Sequence, residues 1–124
     1  MAPKAKAELA REHLNRALPA VSAEDYTEAV TWLFASLEAA VVGVAERHDL
    51  ETVKTHWNKA DVAKQLHVAG VLPEDFSGTL GILNAARKVA IYEGEEPNLQ
   101  GWSLDGLAVD VEIAVESAER ENAP

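Results

Sequence analysis

The chain has 124 residues and a formal net charge of −10, a length that suits one domain with a substantial hydrophobic core. It contains no cysteine, which excludes disulfides and thiolate metal sites. The net charge argues against broad electrostatic binding to nucleic acid, because that binding depends on lysine and arginine side chains that displace counterions from phosphates.

The first two helices are predicted from apolar spacing and from the signals at their ends. Helical spacing recurs in every segment, and no stretch alternates apolar and polar residues for long enough to predict a strand, so we expect an all-α fold. The first helix is predicted to start at Pro3 or Lys4 and to reach Leu18, because Pro19 should end it. Ser22 is the expected N-cap of the second helix.

The second helix carries the longest apolar stripe of the chain, and we expect it to be the central core helix. It is predicted to end near His48. The stripe comprises Tyr26, Ala29, Val30, Leu33, Leu37, Ala40, Val41 and Val44, widened by Phe34 and Ala45.

Three further helices are predicted from turn and cap residues. Asn58 is the expected cap of the third helix, and Gly70 its stop. The fourth helix is predicted to open around Pro73, since proline suits a first turn, and to break at Gly94. Ser103 is the candidate N-cap of the fifth. We therefore expect all 124 residues to form a single compact up-and-down bundle of four to five helices.

Arg87 interrupts the apolar face of the fourth helix. A charge in such a row is rarely buried without a partner. Either a structural ion pair holds the guanidinium, or Arg87 lines a functional groove, and the sequence leaves both open. On a period of 3.6 residues, Arg87 falls in one stripe with Phe76, Leu80, Leu83 and Ile91.

Three residues are predicted to share a site with Arg87. Glu38, at the edge of the second helix's stripe, is its expected partner, since a carboxylate matches the guanidinium fork. Asn84 lies one turn before Arg87, and Tyr92 lies five residues after it. Arg87, Glu38, Asn84 and Tyr92 are therefore the candidate ligand-binding residues. The alternatives are a structural Arg87–Glu38 pair and a polar cleft that binds phosphate or a nucleotide.

No other chemistry is indicated. The four histidines lie on separate elements or far apart and lack metal-site spacing, and no phosphate loop or nucleophile elbow occurs, so we expect neither a metal nor a cofactor. His56 precedes the third helix, where it is placed to close the same end of the bundle as Arg87. The histidines are His13, His48, His56 and His67.

Charge is distributed unevenly along the chain. Residues 1–16 have a small positive excess, whereas residues 93–124 carry nine acids against Arg120 alone. This acidic stretch is either a solvated helix face or a surface that docks a basic partner. The first residues lead into charges and not into an apolar signal core, and charges interrupt the apolar runs. We therefore expect a soluble, cytoplasmic protein with no membrane segment.

The order of features from residue 5 to residue 120 resembles the HEPN domain, a nucleotide-binding helical bundle of prokaryotes and eukaryotes. The resemblance is carried by a long Ala-rich second helix, the segment THWNK at residues 55–59 and the helix end RKVAIY at residues 87–92. It implies a four- or five-helix bundle that often dimerises. Many such domains are metal-independent ribonucleases of toxin and antitoxin or defence systems, and others have lost activity.

The catalytic signature of that family is an arginine followed after four to six residues by a histidine. Arg87 matches the arginine, but Tyr92 stands at the five-residue offset, and no histidine follows His67. We therefore expect a non-catalytic, dimeric binding or regulatory module. The enzyme alternative cleaves RNA or handles nucleotides with Arg87 and either Tyr92 or His56 as candidate catalytic residues. A third hypothesis is a structural protein that binds a partner through its acidic fifth helix.

Overall fold

The computed structural model describes residues 3–48 and 56–123, and their side chains for residues 5–48 and 59–123. Within these residues all regular secondary structure is helical, which confirms the predicted all-α bundle. The elements are α1 (Pro3–Ser22), α2 (Tyr26–Arg47), α3 (His56–Val68), α4 (Ser77–Lys88), a π-helical turn (Val89–Glu93) and α5 (Leu104–Glu121).

Helix α2 is the centre of the bundle, as predicted. It packs against α1, α5, α4 and α3, and its residues from Ala29 to Ala45 are buried except at positions 31, 32, 35 and 38. The buried core draws side chains from all five helices. By length and composition alone α2 is also apolar enough to cross a membrane, but 72% of that apolar stretch is buried inside the bundle. Its apolar length is therefore used for core packing.

Helix α1 does not end at Leu18, so that prediction was wrong. The helix continues to Ser22 with Pro19 in its last turns. Proline removes its own N–H and crowds the carbonyl four residues before it, but the carbonyl of Pro19 still accepts a hydrogen bond from Ala23 N at 3.0 Å. Continuing the helix also buries Val21 in the core, which offsets this local cost.

The N-cap of α2 is Asp25 and not Ser22. The carboxylate of Asp25 accepts a hydrogen bond from Glu28 N at 3.3 Å. Ser22 does not take this role, because it is still part of α1. At α5 the predicted cap is confirmed, since Ser103 Oγ accepts from Gly106 N at 2.9 Å. A cap prediction is therefore safe only where no preceding helix takes up the capping residue.

The start of α3 also differs from its prediction. The helix begins at His56, so Asn58 lies inside it and not at its cap. The predicted stop is confirmed, because Gly70 has a φ of +78°, a left-handed conformation that favours glycine.

Helix α4 starts at Ser77 and not around Pro73. The residues before it form bends that bury Leu72 and Phe76 in the core. Asp75 closes this segment by accepting a hydrogen bond from Ser77 N at 2.9 Å.

Candidate functional site

The apolar stripe of α4 holds for three turns and then leaves the core. Leu80 and Leu83 are buried, Arg87 on the same face is partly buried, and Ile91 is half exposed. The prediction that Ile91 continues the packed row was therefore wrong. From Val89 the chain adopts a π-helical turn, in which no residue is buried.

Contacts from two helices orient the Arg87 side chain. Its Nη2 atom donates a hydrogen bond to Asn84 Oδ1 at 2.9 Å, within the face that the sequence predicted for both residues. Its Cζ atom lies 4.6 Å from the centroid of the Phe34 ring on α2, a cation–π distance. Arg87 thus connects the end of α4 to the middle of α2.

Glu38 lies one turn after Phe34 on α2, and its Oε1 atom is 3.4 Å from Nζ of Lys59 on α3. Both side chains of this ion pair are partly buried. A direct pair between Glu38 and Arg87 stays a prediction. Lys59 was missed by sequence reasoning, although it is the last residue of the THWNK segment. Its position facing α2 depends on how α3 packs.

Tyr92 differs from Arg87 in its exposure. It is 75% exposed and neighbours Ile91, another exposed large apolar residue. Both belong to the π-helical turn, which has no buried residue and follows α4 directly in the chain. The side chain of His56, the other candidate, lies outside the described side chains. The turn and the side chain of Arg87 are therefore close in the chain but differ in exposure, since the turn is exposed and Arg87 is partly buried.

The chemistry available around Arg87 is limited. The two contacting pairs, Glu38 with Lys59 and Arg87 with Asn84, offer two cations, one carboxylate and one amide. None of these four side chains is an imidazole. Across residues 3–48 and 56–123, no group of three or more His, Cys, Asp or Glu side chains could hold a metal ion. The arrangement suits holding helices together or holding an anion.

A second charged network, which sequence reasoning missed, joins α1 to α5. Arg11 lies 2.6 Å from Glu119 and 3.2 Å from Glu112. The hydrogen bond to Glu119 raises the pKa of Arg11, and the same bond lowers the pKa of the Glu119 carboxyl. The two acids are seven residues apart and share a face of α5, a signal in the sequence, but nothing local named Arg11 as their partner.

The histidine His13 is an aromatic neighbour in the packing of α1 on α2. Its ring lies 5.3 Å from the ring of Trp32, and Arg16 lies 4.9 Å from the same ring. Burial lowers the pKa of His13, and the charge of Arg16 lowers it further. The neutral imidazole is therefore favoured, and its contacts are those of a packed side chain.

Comparison of the chain with family models, with curated proteins and with solved structures finds no match. The function is therefore inferred from the residues and contacts described above.

Proposed function

We propose that the protein is a non-catalytic, HEPN-like helical bundle that acts in the cytoplasm as a dimeric binding or regulatory module. The observation that carries the proposal is the π-helical turn, which exposes Ile91 and Tyr92 directly after Arg87. Aromatic residues such as tyrosine are enriched at protein interfaces, and an exposed apolar patch is a candidate for such a contact.

A binding role fits Arg87 better than a catalytic one. Its guanidinium is held against Phe34 and bonded to Asn84, contacts that stabilise the junction of α2 and α4. The residue at the family's histidine position is Tyr92, and a phenol exchanges protons less readily near neutral pH than an imidazole does. The occupant we assign to the exposed turn is a second copy of the chain.

The oligomeric state tests this proposal. Sedimentation velocity should show a dimer for the parent protein and a monomer for the double variant Ile91→Ser and Tyr92→Ser, because the variant removes the apolar contact. Val109→Ser is the matched control, since Val109 is an exposed apolar residue on α5 outside the turn, and it should remain a dimer. A monomeric parent, or a double variant that stays dimeric, contradicts the proposal.

The enzyme alternative is an RNA-cleaving or nucleotide-binding protein that uses Arg87 with Tyr92 or His56. Incubation of purified protein with mixed RNA and a chelator, beside Arg87→Ala, tests it directly. We expect no cleavage by either protein. Cleavage by the parent that is lost in Arg87→Ala would establish the enzyme instead.

A further inference from the structure

A groove of about 510 Å³ lies between the start of α2 and the loop that leads into α5. Tyr26, the first residue of α2, forms one side, and residues 96–102 form the other. A volume of this size is typical of sites that take a small molecule or a few side chains. Neither Arg87 nor the π-helical turn lines it, so this groove is separate from the site described above.

The loop wall of the groove is anchored at several points. Pro97 and Leu99 are buried, which ties the loop to the protein interior. Asn98 Oδ1 accepts a hydrogen bond from Gln100 N at 2.8 Å, and Trp102 N donates to the carbonyl of Leu99 at 2.9 Å. The wall is therefore formed before any ligand arrives, which lowers the entropic cost of binding.

Two aromatic side chains and a carboxylate line the groove. Trp102 is 41% exposed, although its ring edge also rests near Gly78 on the first turn of α4, 3.7 Å from where a Cβ atom would stand there. Tyr26 is partly buried and Glu96 is exposed. Aromatic faces attract cations through the ring quadrupole, and a nearby carboxylate adds direct charge pairing.

The charge of the surrounding chain favours the same kind of ligand. Residues 17–30 and 89–107, which include both walls, contain no lysine and no arginine but seven acids. From α1, Arg16 lies over Trp32, whose indole N–H donates to Glu28 at 3.0 Å. Glu96 supplies the charge among the lining residues, and the acids of these two stretches add a negative potential that attracts a cationic ligand.

We infer that this groove binds a lysine- or arginine-bearing segment of a partner protein. The cation lies against Trp102 and Tyr26 and pairs with Glu96. Asn98 and Gln100 are among the residues that line the groove, and a side-chain amide has both donors and acceptors, which suits the backbone of a peptide. These two residues therefore favour a protein segment over a free ammonium compound.

Nuclear magnetic resonance titration of the full chain tests the inference. The probe is a capped glycine-rich peptide with two lysines, and its control replaces both lysines with norleucine. The lysine peptide should shift the amide resonances of residues 96–102 and the indole resonance of Trp102, and the norleucine peptide should not. Glu96→Gln and Trp102→Leu should each weaken binding about two- to fivefold. The variant at Ile91 and Tyr92 should bind as the parent does.

Glu116→Gln is the matched charge control, because Glu116 is an exposed acid on α5 that does not line the groove. It should leave the affinity unchanged. Equal weakening by Glu116→Gln and Glu96→Gln, or shifts spread along α5, would mean a general electrostatic attraction and overturn the inference. So would the absence of shifts, or tetramethylammonium binding as tightly as the lysine peptide. If Trp102→Leu loses helical circular dichroism, the comparison of the two glutamate variants still decides the outcome.

Discussion

The middle of α2 and the end of α4 both carry apolar side chains at helical spacing, but their surroundings differ. Leu33 in the middle of α2 is fully buried, and four helices pack around that helix. Ile91 and Tyr92, in the π-helical turn that follows α4, are 51% and 75% exposed, and no residue of that turn is buried. Apolar spacing becomes core only where other elements cover it, and an uncovered stretch is available for binding.

The largest expected effect comes from truncating one residue in each region. Leu33→Ala should lower the free energy of unfolding by about 2–5 kcal/mol, because it leaves a cavity in the core. Ile91→Ala in the monomer should change it by less than about 0.5 kcal/mol. Urea denaturation at low protein concentration measures both. If the two variants lost similar amounts of unfolding free energy, Ile91 would have to be covered by other residues, which contradicts its exposed position.

An intermediate effect is expected at Arg87, which lies between the two regions. Arg87→Met should destabilise the protein by about 1–3 kcal/mol, since it removes the hydrogen bond to Asn84 and the contact with Phe34. A double-mutant cycle with Phe34→Leu should give a coupling energy of about 0.5–1 kcal/mol. A coupling near zero would show that the stacking contributes nothing in solution.

Urea denaturation of Glu38→Gln tests whether Arg87 and Glu38 form the predicted pair. If the carboxylate and the guanidinium form a buried pair, the variant should cost about 3–5 kcal/mol, whereas an exposed pair gives at most about 1 kcal/mol. Lys59→Met is the control, because Lys59 is the ion-pair partner of Glu38 on α3. A loss in Glu38→Gln that Lys59→Met fully reproduces would assign the carboxylate to Lys59 alone.

A small effect that depends on pH is expected where α1 meets α5. Arg11→Met should cost at most about 1 kcal/mol at neutral pH, because Arg11 and Glu119 are partly exposed. Since Arg11 lowers the pKa of Glu119, this stability is present above the unfolded pKa of about 4.3. It is lost as the pH falls through the lower folded value. The difference between parent and variant should therefore shrink on acidification, and a constant difference contradicts the assignment.

Much of the candidate site could not be predicted from the sequence. The hydrogen bond between Arg87 and Asn84 was predictable, because residues three apart on one helix are neighbours. The contact with Phe34 and the ion pair of Glu38 with Lys59 join different helices. Such contacts depend on the rotation of each helix about its axis, which the sequence of either helix alone does not specify.

The sequence by itself determined the helical class, the central position of α2 and the local signals at Gly70 and Ser103, because hydrophobic period and cap chemistry act within a few residues. Only the tertiary structure decided that α1 continues through Pro19 and that Pro73 precedes its helix. It also decided that the stripe of α4 leaves the core after Arg87. At Pro19 and Pro73, the burial of neighbouring apolar side chains outweighed the local preference of the sequence. Beyond Arg87, no other element among the described residues covers the stripe, so it stays exposed.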